Sequence, residues 1–132
     1  MKNIILSIAL LVSVSMASCK KEANTDPAAG NTPVSKMINV EYRISSETGS
    51  LNANYMFPNA SGELENTVVL VNRKLEIVDF SVMSGQFLSV EAANQAPSHR
   101  TVQVELYING VLMKQSISTS PSQKACASGI FY

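Results

Sequence analysis

Residues 101–118 read TVQVELYINGVLMKQSIS, and this stretch decides the fold class. Val102, Val104, Leu106 and Ile108 alternate with Thr101, Gln103, Glu105 and Tyr107. A period of two places one set of side chains on a buried face and the other on the opposite face, the pattern of a half-buried strand. Asn109-Gly110 follows, and a second run extends from 111 to 118. Asn-Gly between two such runs is the preferred two-residue hairpin turn, because both positions must accept positive φ. The segment therefore predicts two antiparallel strands joined at Asn109-Gly110.

The same period recurs upstream. Ile38, Val40, Tyr42 and Ile44 alternate with Asn39, Glu41 and Arg43, and Leu51, Ala53, Tyr55 and Phe57 alternate with Asn52, Asn54 and Met56. Glu47-Thr48-Gly49-Ser50 separates these two runs as a turn, and residues 58–62 (PNASG) form a breaker cluster. Residues 68–71 (VVLV) suggest a third strand, interrupted by Asn72-Arg73-Lys74, and residues 75–80 a fourth. Ser84-Gly85 turns the chain, residues 87–92 form a fifth, and 94–98 are loop. Residues 118–123 are loop with Pro121, and residues 125–132 close the sheet. No segment has an amphipathic helical period. Seven or eight short antiparallel strands with near-regular turns imply an all-β domain, an immunoglobulin-like β-sandwich, with a small barrel as the rival.

The N-terminus has a different character. Lys2 supplies a positive start, and residues 4–17 are apolar apart from Ser7, Ser13 and Ser15. That is the order of a secretory signal. The apolar stretch has about fourteen residues where a membrane span needs about twenty, so cleavage is expected rather than retention as an anchor. Met16-Ala17-Ser18-Cys19 resembles the bacterial lipobox, with Met where Leu is usual. The resemblance implies a signal peptide over 1–18 and a lipidated Cys19 as the mature N-terminus. Each buried CH₂ contributes roughly 0.8 kcal/mol, so two or three acyl chains hold a protein firmly on a membrane. Residues 19–36 continue as a polar stretch rich in Lys, Asn, Pro and Gly, expected to be a flexible tether. The domain then spans 37–132. Ser18-Cys19-Lys20-Lys21 is similar to the start of lipoproteins from the Bacteroidota, where an acidic stretch after the cysteine directs surface display. Only Glu22 and Asp26 are acidic here, so the periplasmic and surface faces of the outer membrane both stay open.

Composition excludes several functions. The chain has 132 residues with ten basic and ten acidic side chains, and losing Lys2 would leave nine against ten. No basic stripe exists, which argues against a nucleic-acid partner. G-x-S-x-G is missing, and the lone histidine, His99, sits in a predicted loop, where a solvent-exposed side chain is the expected reading. Its neighbour Ser98 would point the opposite way along a strand. No enzymatic activity and no cofactor are expected. Lipidation of Cys19 would leave Cys126 either as a buried small hydrophobe or in an intermolecular disulfide. The small neighbours Ala125, Ala127 and Gly129 favour burial. One thiolate and one imidazole do not make a metal site. Glu63 and Glu65, two apart, suit one face of a strand, either as a carboxylate pair that seeds a weak cation site or, as is more common, as an exposed strand edge. Asp79 falls in an apolar strand, where an inward-facing charge would protect a sheet edge. Asn59-Ala60-Ser61 fits the glycosylation sequon, without consequence in a bacterial lipoprotein.

The order of features resembles a known family. Residues 40–44 (VEYRI) open the domain, Asn54-Tyr55 follows, then Asn66-Thr67-Val68. Gly85 precedes residues 87–90 (FLSV), and residues 104–110 (VELYING) lead to Lys114. Over residues 38–132 this is similar to the mycobacterial small membrane protein family (MmpS) and its lipoprotein relatives. The resemblance implies an immunoglobulin-like domain outside the inner membrane and an accessory role beside a lipid or siderophore exporter of the resistance-nodulation-division type. Two departures bear on the transporter more than on the fold. Members of that family keep a membrane helix, whereas this chain has a lipobox. They also tend to carry a disulfide within the domain, where this one has the single cysteine Cys126.

The expected function is a lipid-anchored, non-enzymatic binding or accessory module that contacts an envelope protein, a transporter or a small ligand. The alternative is a surface-displayed adhesin or glycan-binding lipoprotein. That would call for a row of exposed aromatics, and Tyr42, Tyr55 and Tyr107 are the strand tyrosines whose orientation matters.

Overall fold

A computed structural model describes residues 34–47, 49–95 and 100–132. The expected signal peptide over 1–18, most of the expected tether over 19–36, Cys19 and His99 lie outside the described residues. Eight strands follow in order: β1 (Met37–Ser46), β2 (Leu51–Pro58), β3 (Leu64–Val71), β4 (Leu75–Met83), β5 (Phe87–Asn94), β6 (Val102–Ile108), β7 (Val111–Ser118) and β8 (Ala125–Ile130). All pairings are antiparallel. They form two four-stranded sheets, β4-β1-β6-β7 and β3-β2-β5-β8, stacked as a β-sandwich. Only β2–β3 and β6–β7 are hairpins within one sheet. Every other connection crosses between the sheets. The strand pairs β1/β2 and β4/β5 therefore interlock: β1 pairs with β4 in one sheet and β2 with β5 in the other.

The periodicity explains the core. The inward set of β1 (Ile38, Val40, Tyr42, Ile44), of β2 (Leu51, Ala53, Tyr55), of β5 (Leu88, Val90, Ala92) and of β6 (Val102, Val104, Leu106, Ile108) is buried. These four strands are central in their sheets, so both neighbours exclude water from their inner face. The outer strands β3 and β4 bury only Val71 and Val82 fully, while Val69, Val78, Phe80 and, on β2, Phe57 are half-buried. Four rings stitch this side together. Tyr42 meets Phe80 at 5.2 Å and Tyr55 at 5.9 Å between centroids, and Phe57 meets Phe80 at 5.2 Å. β3 begins at Leu64, four residues before the apolar run, because pairing with β2 from Pro58 onward extends it.

The Asn109-Gly110 turn forms as read, with φ of +50° and +80°. Asn109 also ties the hairpin to its neighbour. Its Oδ1 accepts from the Asn39 backbone N–H at 3.0 Å, and its own N–H donates to the Asn39 carbonyl at 2.8 Å. Alanine at 109 removes that acceptor and strains the positive φ. Asn109→Ala is expected to cost about 1–2 kcal/mol, read as a lower urea midpoint with an unchanged slope.

Several sequence expectations are corrected. Asp79 points outward, not inward, because β4 buries the other parity at Val78, Phe80 and Val82. Glu63 precedes β3, and its N–H donates to Asn59 Oδ1 at 3.1 Å. Only Glu65 lies in the strand, so the two do not share its face. Asn59 Oδ1 also accepts from the Ser61 N–H, so the sequon asparagine caps the β2–β3 turn. Cys126 is half-buried and disulfide-bonded rather than a buried hydrophobe, since β8 turns the Ala125 and Ala127 parity inward.

Candidate binding surface

The outer face of the first sheet is built by the alternate parity of its strands. Cross-strand register sets Asp79 beside Glu41, and Glu41 beside Tyr107. The next rung sets Ile77 beside Arg43 and Arg43 beside Glu105. Two carboxylates directly opposite one another, Glu41 and Asp79, repel and are destabilising in isolation. Arg43 answers part of this: its Nε donates to Glu41 Oε1 in a short ion pair. That hydrogen bond raises the guanidinium pKa above its usual value. The guanidinium also lies 4.4 Å from the Tyr107 ring centroid, a cation–π contact. Tyr107 donates to Glu105 Oε2 at 3.1 Å, and Gln103 Nε2 donates to Glu105 Oε1 at 2.7 Å. Desolvation, then the bond to Glu105, raises the Tyr107 pKa. The Asp79 carboxylate has no ion-pair or hydrogen-bond partner among the described residues.

Beside this network the sheet surface opens into a cleft of about 460 Å³, lined by Asn39, Val40, Glu41, Asp79, Phe80, Ser81 and Gly110. Ser81 Oγ donates to Asn39 Oδ1 at 2.8 Å across its upper rim. The turn residue Gly110 forms one wall, so the β6–β7 tip borders the cleft. At that tip Val111, Leu112 and Met113 are 61%, 44% and 44% exposed. The tip lies on an edge strand that is exposed from Val111 to Gln115, and a bulge shapes it. Leu106 pairs with Lys114 but Tyr107 pairs with Leu112, which leaves Met113 as the extra residue. Leu112 shares the outer face with Tyr107, and β7 is the last strand of its sheet, so nothing covers Val111. The site thus joins an apolar knob to an acidic, hydrogen-bonding cleft.

The other sequence candidates do not converge here. Tyr42 and Tyr55 are core residues, and Tyr107 carries Arg43 over its ring. Among the described residues no three His, Cys, Asp or Glu side chains gather to hold a metal ion. No described helix is long and apolar enough to cross a membrane. Sequence reasoning missed the tip and the Glu41–Asp79 rung. The tip did carry a signal: three consecutive apolar residues, 111–113, break the period of two, as a bulged or exposed apolar run does. The rung carried none, because Glu41 and Asp79 are far apart in sequence and meet only through β1–β4 register.

No protein-family model matches this chain, and no curated protein matches it at a significant level.

Proposed function

We propose that this chain is a lipid-anchored, non-enzymatic accessory module of the cell envelope, held to the membrane through Cys19 and docking a partner protein at the β6–β7 tip. The observation that carries the reading is the exposed Val111-Leu112-Met113 knob beside the Glu41–Asp79 cleft. Exposed apolar residues rimmed by polar groups mark protein interaction sites. The unpartnered Asp79 carboxylate would accept a basic side chain of that partner, which would relieve its repulsion with Glu41. The resemblance of residues 38–132 to the mycobacterial small membrane proteins and their immunoglobulin-like domain supports an exporter as the partner. The glycan-binding alternative draws less support, because two of the three strand tyrosines are in the core and the third is covered by Arg43.

The test is a pull-down of the lipidated protein from its native envelope, with a Cys19→Ala control and a Leu112→Glu/Met113→Glu variant. A specific exporter or envelope complex should co-purify with the wild type. Its capture should fall about tenfold or more in the tip variant, equivalent to about 1.4 kcal/mol or more of contact energy. Equal capture by both proteins, or none above the control, removes the docking reading. The anchor has its own readout in the intact mass of the mature protein. The chain has two cysteines and Cys126 is disulfide-bonded, so a Cys19 thioether to lipid competes with a bond between the two: an acylated mass supports the anchor, and an unacylated mass overturns it.

A further inference from the structure

We propose that a second copy of this chain pairs antiparallel along β3, extending the β3-β2-β5-β8 sheet across a two-fold axis near Val69. A β-sandwich of two four-stranded sheets has four edges, here β4 and β7 in one sheet and β3 and β8 in the other. An edge strand presents unpaired N–H and C=O groups, and natural sheets blunt such edges with charges, bulges or short length. Three of the four are blunted. β4 carries Glu76 and Asp79. β7 carries Lys114 and the bulge opposite Leu106 and Tyr107. β8 is six residues long and contains Gly129.

β3 carries one charge, Glu65, next to its N-terminal end, and none of these devices from there on. From Asn66 to Asn72 there is no charge, proline or glycine, and its eight residues pair with β2 without a register shift. Val68 is 72% exposed, the most exposed large apolar side chain in any strand, and Leu70 is 54% exposed on the same face.

The flanks of the strand choose the occupant. Glu63 and Glu65 stand at its N-terminal end, and Arg73 and Lys74 follow its C-terminal end. This acidic–apolar–basic order is self-complementary when the strand runs antiparallel to a copy of itself. Pairing about Val69 sets Val68 against Leu70 of the second copy, and Glu65 toward Arg73 of the second copy, whose exposed guanidinium would be shared between Glu65 and its own-chain partner Glu76 at 3.3 Å. The two-fold axis repeats both contacts. Parallel pairing would set acid against acid and base against base. Because β7 packs over β8 at the opposite side of the sandwich, a β3 dimer leaves both β6–β7 tips free. The dimer therefore stands independently of the docking reading above and would present that surface twice.

The experiment is sedimentation equilibrium on the purified full-length chain in detergent, with the detergent density-matched. At micromolar concentration the wild type should give the mass of two chains, and Val68→Lys the mass of one. The exposure of Val68 keeps that variant folded, which circular dichroism verifies. Glu65→Arg should weaken the dimer at least tenfold, and adding Arg73→Glu should restore it. A single-chain wild type, a Val68→Lys protein that stays dimeric, or a charge swap without rescue would each overturn the proposal. The tip variant Leu112→Glu/Met113→Glu should leave the dimer intact, which separates this outcome from failure of the docking surface.

Discussion

Tyr42→Ala is expected to lose about 3–5 kcal/mol of stability, a large part of the roughly 5–15 kcal/mol that holds a domain folded. Tyr42 is fully buried on the central strand β1. Its ring contacts Phe80 in its own sheet and Tyr55 in the facing one, so truncation opens a cavity where the two layers meet. Tyr42→Phe should behave oppositely. The hydroxyl is turned toward the backbone of Ser89 but makes no hydrogen bond of good geometry. A buried polar group without a partner costs about 1–3 kcal/mol, so phenylalanine should match or exceed the wild type. Chemical denaturation of the three proteins checks the order Phe at or above Tyr, and Tyr far above Ala.

The same hydroxyl gives a pH dependence. Burial is the main cause that lifts its pKa above the usual 10.0, with the Ser89 backbone opposing weakly. The folded state then keeps a proton that the unfolded chain releases. The stabilisation is complete below about pH 10 and declines as pH rises beyond it, by about 1.4 kcal/mol per pH unit for one group. Tyr55 shifts the same way through burial, so Tyr42→Phe should flatten the alkaline loss without abolishing it. An unchanged alkaline profile in Tyr42→Phe would contradict this assignment.

Gly49→Ala is the second large effect. Gly49 has φ of +70°, and a Cβ there would meet the backbone carbonyl carbon of Arg73 at 3.1 Å and the Lys74 nitrogen at 3.2 Å. The β1–β2 crossover thus rests directly on the β3–β4 crossover, and the Ser46 N–H donates to the Lys74 carbonyl at 2.9 Å beside it. Backbone cannot step aside as a flexible side chain would. Left-handed strain alone costs an alanine about 1–2 kcal/mol, and the contact adds to it, for a total of roughly 2–3 kcal/mol. Gly62→Ala isolates the two parts: its φ is +82° but nothing lies within 4 Å of the added carbon. It should show the conformational cost alone. Equal melting shifts for the two variants would rule out the contact at Gly49.

Strand identity was legible because period two is a local property. Ile38 to Ile44 and Val102 to Ile108 each state their buried face in their own residues, and Asn109-Gly110 states its turn. Cys126 shows where locality ends. Its small neighbours suggested burial, but β8 gives its inward parity to Ala125 and Ala127. Asp79 went astray for a similar reason. Val78 and Phe80 flank it with apolar side chains, and only the register of β4 against β1, which pairs Val78 with Tyr42 and Phe80 with Val40, tells which parity faces the core.

The sequence by itself determined that the chain is all-β, where most strands run and how the β6–β7 hairpin turns, because alternation and turn chemistry act between residues close along the chain. The tertiary structure alone decided which strands became edges, that Glu41 meets Asp79, and that the apolar tip borders a cleft. Those outcomes depend on cross-sheet connections and register between strands distant in sequence, and no short window contains both partners.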